Sequence, residues 1–357
     1  MRIATVLRAG LIAIVWSVAI APANAAASKS LEIYFIDVEG GQSTLLITPD
    51  RHTLLIDTGW AGDGSEYRPG DPHKARDANR IVAAARDAGV SQIDYLLITH
   101  FHTDHMGGVS ELAQLMPIRG FIDHGAPHPH AEATSTETKD AFAVYSKLRS
   151  KAPPHIEPRP GDRLPLNDVD AIVVSSGGAT LSAPLPGAGA TNSTCQNHAM
   201  PAGDPDENPR STGVLVRYGK FRFLDVGDLS GEPLFNLVCP RDLIGGTDAY
   251  LVAHHGGPDV ADPVTFAAFR PHVAIMNNGT RKGGARVTFE ALHHVRGLED
   301  VWQLHAAADA GDSNFPARYI ANVDQSTAHW IKLVANEDGS FRVLNSRTGE
   351  WKRYPPR

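Results

Sequence analysis

The sequence predicts an α/β protein of four layers, in which two sheets lie face to face and helices cover their outer faces. Three observations carry this reading. Strand-like and helix-like runs alternate in a coarse duplication, strands then helices twice over, with no repeat of fixed period. The leading run, residues 31–57, holds three short strands joined by tight turns, as an antiparallel meander does. Each notable acidic or histidine cluster also comes directly after a strand: Asp57, His100 to His105, Asp228 and His254-His255. Side chains at strand ends along one sheet edge can converge although they are far apart in sequence.

Residues 31–38, 43–48 and 53–57 read as strands, separated by the Glu39-Gly40-Gly41-Gln42 and Pro49-Asp50 turns. A polar, Gly-rich loop follows at 60–72. Residues 75–88 place Ile81, Val82 and Ala85 on one face and stop at Gly89, so a helix is expected there. Residues 93–99 read as a strand buried on both faces. Helices are expected at 108–115 and 136–150, with a strand at 118–123 between them. A Pro-rich stretch at 153–166 leads into a strand at 171–175. Residues 177–209 are rich in Gly, Ala, Pro, Asn and Ser without periodicity, and are read as a rim or lid insertion. Strands at 211–218 and 221–226 form a hairpin across Gly219-Lys220. Helices at 234–238, 263–269 and 289–296 then alternate with strands at 249–253, 272–276 and 301–304. Residues 329–334 and 341–345 are expected to form a terminal hairpin turning at Asp338-Gly339. These elements place a domain at 31–305, and 306–357 is expected to be an extension whose hairpin packs on it.

With 42% hydrophobic residues among 357, the chain has enough apolar material for a large core. A net charge of −7 and a pI near 6.2 disfavour long nucleic acid as a partner. Arg2 and Arg8, an apolar run at 11–20 too short to span a bilayer, and Ala23-Asn24-Ala25 together read as a signal peptide covering residues 1–25. Cleavage there removes two arginines and takes the net charge from −7 to −9. No later segment reads as transmembrane, so a periplasmic or secreted protein is expected. Cys195 and Cys239 could pair in such a compartment. Spacing leaves this open, because it does not set their Cα separation.

The chemistry concentrates at residues 99–108, Thr-His-Phe-His-Thr-Asp-His-Met-Gly-Gly. Crowding His100, His102, Asp104 and His105 together leaves acceptors unpaired unless a cation binds them. His100 and His102 are two apart, so in extended backbone both point to one side and can share a cation. Asp104 and His105 follow at the turn into the next helix and can serve a second cation. Asp228, at the end of an apolar strand, is placed to bridge the two, and His254 or His255 to complete the second site. Imidazole with carboxylate and no thiolate suits zinc first, with manganese or iron as alternatives. Two such ions can hold a bridging hydroxide as nucleophile.

The ordered set of Asp57-Thr58-Gly59, His100-x-His102-x-Asp104-His105 with Gly107-Gly108, Gly227-Asp228 and His254-His255-Gly256 resembles the metallo-β-lactamase-fold hydrolase superfamily, over roughly residues 31–304. The His254-His255-Gly256-Gly257 ending, Asn208-Pro209-Arg210-Ser211 and Asn277-Asn278-Gly279 look like one branch. That branch holds the hydrolase domains of competence proteins and the phosphorylcholine esterases. The resemblance implies one metal on His100 and His102, another on Asp104, His105 and His255, and Asp228 shared. His255 is favoured over His254 as the ligand. His254 is then expected either to support a ligand from behind or to hydrogen-bond a leaving group or phosphate oxygen, and Asp104 and His254 are the residues expected to be catalytic. Some members use a third histidine on the first metal; His124 and His198 are the candidates here, and His305 can reach the site from the last sandwich strand. Asp57 is expected to orient a ligand histidine. Asp204 to Glu207 and Asp309 to Asp312 read as solvated turns. The function implied is hydrolysis of a small-molecule or short phosphoester or phosphodiester. Lactone, thioester or β-lactam hydrolysis and a non-catalytic metal-dependent binding module are the alternatives.

Overall fold

A computed structural model describes residues 29–151, 154–198 and 206–357. The expected signal peptide, residues 1–25, lies outside the described residues, as does part of the 177–209 insertion. Among the described residues no helix is long and apolar enough to cross a membrane.

The strands are β1 (Leu31–Phe35), β2 (Thr44–Ile47), β3 (Thr53–Ile56), β4 (Tyr95–Leu97), β5 (Phe121–Ile122) and β6 (His155–Ile156). They continue with β7 (Asp170–Ser176), β8 (Ala179–Thr180), β9 (Gly213–Tyr218), β10 (Phe221–Asp225), β11 (Ala249–Leu251), β12 (Val273–Met276), β13 (Asp300–His305) and β14 (Ile320–Asn322). β15 (Ile331–Ala335), β16 (Phe341–Asn345) and β17 (Glu350–Tyr354) close the chain. One nine-stranded sheet runs β17-β16-β15-β1-β2-β3-β4-β5-β6, and an eight-stranded sheet runs β14-β13-β12-β11-β10-β9-β7-β8. Both are mixed. β1 to β3 form the expected antiparallel meander, whereas β3 to β6 run parallel. In the second sheet β10 to β14 run parallel.

Alternation along the strands builds three apolar layers. Ile33 and Phe35 of β1 face Val214, Val216 and Phe223 of the other sheet across the central core. Tyr34, between them in sequence, points the other way into a layer with Ile81 and Val82 of α1 (Arg76–Asp87). The short helices α2 (Thr103–Met106) and α3 (Val109–Leu115) follow β4, and α4 (Pro129–Thr134) and α5 (Thr136–Arg149) follow β5. Leu112 and Tyr145, from α3 and α5, fill out the layer over the first sheet. On the far side Leu215, Leu224 and Tyr250 pack against Leu237 of α6 (Gly231–Val238), Phe269 of α7 (Pro263–Phe269) and Phe289 of α8 (Arg286–His293). The order is therefore helix, sheet, sheet, helix, the four-layer sandwich expected from the sequence.

The expected boundary at 305/306 falls between β13 and its parallel neighbour β14. Beyond it, the terminal hairpin enters the first sheet rather than resting on it, because β15 pairs with β1 along all five residues of each. β17, which the sequence reading did not anticipate, then becomes the edge strand. The described residues of the insertion hold β8, a 3-10 turn at Ser193–Asn197 and the start of another at Asn208–Arg210.

Cys195 and Cys239 form a disulfide with Cα atoms 5.8 Å apart, tying the insertion to the end of α6 across 44 residues of sequence. Closing a loop of that length restricts the unfolded chain and is worth about 3–4 kcal/mol in the chain-entropy model. Cys195→Ser with Cys239→Ser should lower the urea midpoint correspondingly, and the double variant should be insensitive to reductant. An unchanged midpoint would mean the bond contributes nothing to stability.

Candidate metal centre

The parallel strands point their C-terminal ends to one edge, and the polar residues gather there. Asp57 follows β3 with a positive φ of 62°, which turns its carboxylate toward the end of β4. It accepts from the Thr99 backbone N–H at 2.8 Å and from Thr99 Oγ1 at 2.7 Å, and meets His105 Nδ1 at 2.7 Å. With Nδ1 committed to Asp57, His105 presents Nε2 to the other side. His100 and His102 stand on one side of the extended segment, as their spacing requires. His100 Nε2 lies 3.0 Å from His102 Nδ1 and 3.9 Å from Asp228 Oδ2. Phe101 between them points away and packs on His124 and Phe142.

The second sheet completes the cluster. Asp228 comes three residues after β10, and its Oδ2 lies 3.2 Å from His105 Nε2 and 3.1 Å from His255 Nε2. His254 and His255 both adopt left-handed backbone, with φ of 47° and 51°. This is costly for residues with a Cβ and is held by surrounding contacts. The His254 N–H donates to the Gly227 carbonyl at 3.1 Å, and the Gly284 N–H donates to the His255 carbonyl at 2.7 Å. The turn sends the two rings apart. His255 enters the cluster, 3.2 Å from Asp104 Oδ2. His254 stays at the rim, with Nδ1 2.8 Å from Asp259 and Nε2 3.7 Å from Asp228 Oδ2.

Electrostatics follow from this packing. Burial opposes charge on His105, but Asp228, Asp104 and Asp57 together hold its pKa well above the imidazole range. Asp104 and Asp228 sit well below the carboxylate range despite burial, Asp104 through Lys282 and His105, Asp228 through His105 and His255. Burial, then His105 and His102, push His100 well below its usual value, which keeps its ring neutral. Burial, with the nearby Asp57 charge, raises the Asp225 carboxyl to about 7, against hydrogen bonds from the Gly227 N–H and Gln42 and the charge of His105.

Asp104, His105, Asp228 and His255 each offer one donor atom, and these atoms all lie within 4.8 Å of one another. Donor atoms around a tetrahedral ion bound at about 2.0–2.1 Å stand roughly 3.3–3.4 Å apart. The observed 3.1–3.3 Å separations of the Asp228, His105, His255 and Asp104 atoms fit that spacing. Asp228 Oδ1 is buried without a hydrogen-bond partner, an orphan acceptor that a cation would satisfy. The residues therefore suit a divalent metal.

Several expectations change. His124 does not join the cluster: its Nε2 meets Glu207 at 2.9 Å while its ring lies on Phe101. His198 pairs with Asp262 at 3.2 Å, and His305 with Asp37 at 2.7 Å. Glu207, expected in a solvated turn, is fully buried and accepts from the Phe101 N–H at 3.1 Å. It is held inside because it satisfies otherwise unpaired donors of the cluster strand. Asp57 does orient His105 as expected. The sequence reading passed over Lys282, which pairs with Asp104, and placed Asp206, which lies 3.5 Å from His102, in a solvated turn. The signal for Lys282 was a lysine set between Asn277-Asn278-Gly279 and Gly283-Gly284 just after a strand.

Removing Asp57 leaves His105 Nδ1 without its orienting carboxylate. Asp57→Ala should weaken divalent-metal binding about 10–100-fold in a chelator competition; unchanged affinity would remove Asp57 from the support of the site. Asp225 gives a pH test. Between about pH 4 and 7 the folded carboxyl holds a proton that the unfolded chain has lost, so stability is greatest below that window and falls as pH rises through it. In chelator-treated protein, Asp225→Asn should therefore gain stability relative to wild type between pH 4 and pH 8, measured by urea titration. A pH-independent difference would contradict the raised value.

Comparison with known proteins places this geometry. Residues 37–194 match the model of the metallo-beta-lactamase superfamily, a span holding Asp57 and the whole 100–105 cluster; Asp228 and His255 lie beyond it. Comparison with curated proteins gives no match. Among solved structures, a metallo-beta-lactamase motif mutant from Cronobacter sakazakii is 20% identical, with 55% of this chain and 60% of that one covered and a TM-score of 0.31. This chain thus spans less than two thirds of that enzyme's length. The metallo-beta-lactamase fold protein YhfI from Bacillus subtilis is 11% identical over 77% of this chain and 96% of that one, with a TM-score of 0.45. Igni18, a metallo hydrolase from Ignicoccus hospitalis, is 14% identical over 76% and 94%, with a TM-score of 0.42. Residues 37–194 thus resemble the metallo-β-lactamase superfamily, and the chain has the four-layer sandwich of the metallo-β-lactamase fold, with its clustered histidines and aspartates at the strand-end edge.

Proposed function

We propose that this protein is an exported metal-dependent hydrolase acting on small or short phosphoesters or phosphodiesters. The observation that carries the reading is the convergence of Asp104, His105, Asp228 and His255 within 4.8 Å, with His100 and His102 beside them. In this reading Asp104, His105 and His255 hold one divalent ion, His100 and His102 hold the other, and Asp228 is shared. Zinc is the first choice for an imidazole and carboxylate set. Ions held there would activate water and offset charge developing on the substrate oxygen.

The chain's own residues supply orientation and a proton. Asp57 fixes the His105 ring, and Thr99 fixes Asp57. His254 stands at the rim with Nδ1 on Asp259, which leaves Nε2 facing the cluster. Burial opposes charge on His254, but Asp259 and Asp228 raise its pKa, so it can donate a hydrogen bond or proton to a departing alkoxide. The Lys282 ammonium at the lip favours an anionic substrate over a neutral one. The expected signal peptide implies export, and the Cys195–Cys239 disulfide supports it, since such bonds persist in oxidising compartments.

Protein loaded with zinc or manganese should cleave a bis-aryl phosphodiester faster than a lactone, a thioester or a chromogenic cephalosporin. Chelation should abolish turnover, and Asp228→Ala should reduce bound metal and lower turnover at least 100-fold. A reversed substrate order sinks the phosphoester reading. Bound metal with no turnover on any substrate favours a binding module. Equal metal content in wild type and Asp228→Ala removes Asp228 from the shared position.

A further inference from the structure

Lys282 reaches the centre from a loop outside the proposed ligand set. Its ammonium pairs with Asp104 Oδ2 and lies 5.2 Å from the centre of the Trp60 ring, yet the side chain is 40% exposed. Among the described residues it is the one lysine or arginine paired with Asp57, Asp104 or Asp228.

The backbone around Lys282 is built to hold it there. The Gly279 N–H donates to the Lys282 carbonyl at 2.8 Å, and the Gly284 and Ala285 N–H groups donate to the His255 and Gly256 carbonyls at 2.7 and 2.9 Å. The loop is thus fastened to the turn that aims His255. Gly283, with φ of 71°, lies so close that a Cβ there would stand 2.3 Å from the His255 carbonyl oxygen. From the other side, a Cβ on Gly40 would stand 2.8 Å from Lys282 Cβ. Gly40 must lack a Cβ for Lys282 to lie where it does, and Gly283 must lack one for the loop to close on the His255 turn.

We propose that Lys282 is a specificity-determining residue that anchors an anionic group of the substrate at the mouth of the centre. The inference rests on the hydrolase reading and deepens it by naming what the substrate must carry. Its physical basis is charge. A divalent ion on Asp104 takes up that carboxylate's charge, and no other carboxylate among the described residues is paired with Lys282. The ammonium then faces the opening with its charge uncompensated. A compact, strongly hydrated point charge of this kind suits phosphate or carboxylate oxygens. Because the loop is already fixed, little ordering is needed when the anion binds. The face of the Trp60 ring, 5.2 Å from the ammonium, steadies it there by a cation–π contact.

The test uses Lys282→Met, Lys282→Arg and Gly40→Ala, the last displacing the lysine without deleting it. Metal content is measured first. Inorganic phosphate is then titrated into each metal-loaded protein by calorimetry. Two substrates sharing a leaving group, one with an extra anionic group and one neutral, are compared by KM and kcat. Phosphate affinity should fall about tenfold or more in Lys282→Met and Gly40→Ala. Lys282→Arg should keep most of it, with metal content equal throughout. KM for the anionic substrate should rise in parallel, with far less change for the neutral one. The proposal is overturned if wild type does not bind phosphate, if the variants bind it equally well, if both substrates lose equally, or if the losses follow metal content. A wild type that prefers a carboxylate-bearing lactone, with the same discrimination by Lys282, would end the phosphoester reading and leave the anchor in place.

Discussion

Three buried carboxylates, Asp57, Asp104 and Asp228, converge on the single imidazole of His105. Like charges gathered in a poorly solvated interior repel one another strongly, so the arrangement holds only with positive charge threaded through it. His105 supplies some of that charge, and Lys282 supplies more from the lip. The His255 and His100 rings fill the remaining directions around Asp228. This constraint explains why the cluster suits a divalent cation, which would do the work of the imidazolium from a smaller volume.

The sandwich exists, from the site's point of view, to bring those groups to one edge. β3 and β4 of the first sheet end at Asp57 and at the 100–105 cluster, and β10 and β11 of the second end near Asp228 and His255. The central apolar layer sets the separation of the sheets and therefore the distance between the two halves of the site. The insertion adds the rim. Buried Glu207 pins its end beneath the cluster strand through the Phe101 N–H and His124. That anchor sets neighbouring Asp206 near His102 and Asn208 Nδ2 3.4 Å from His254 Nε2.

Much of this was legible because it is local. The two-residue spacing of His100 and His102 dictates a shared side in extended backbone, and the structure keeps it. The mainly apolar run at 93–99 reads as a strand buried on both faces, which already implies layers on both sides of the sheet. Asp57 after an apolar strand and Asp228 after another were readable as strand-end carboxylates. Glu207 was not, since its sequence neighbours are polar and nothing local distinguishes a buried acid from a solvated one. His124 misled for the reverse reason: it follows a strand, as ligands do, but its ring turns to Phe101 and Glu207. β15 lies beside β1 nearly three hundred residues away, and no local pattern encodes such a partner.

By itself the sequence determined the element types, the layered class, the identity of the clustered histidines and aspartates and their order, because periodicity and spacing act within a few residues. Only the tertiary structure decided which of His254 and His255 faces inward, which histidines stand apart, and that Lys282 closes on Asp104. Those outcomes depend on left-handed turns, glycine clearances and the spacing between two sheets. Each is set by packing between segments distant in sequence, where burial and charge compensation, rather than local propensity, choose the arrangement.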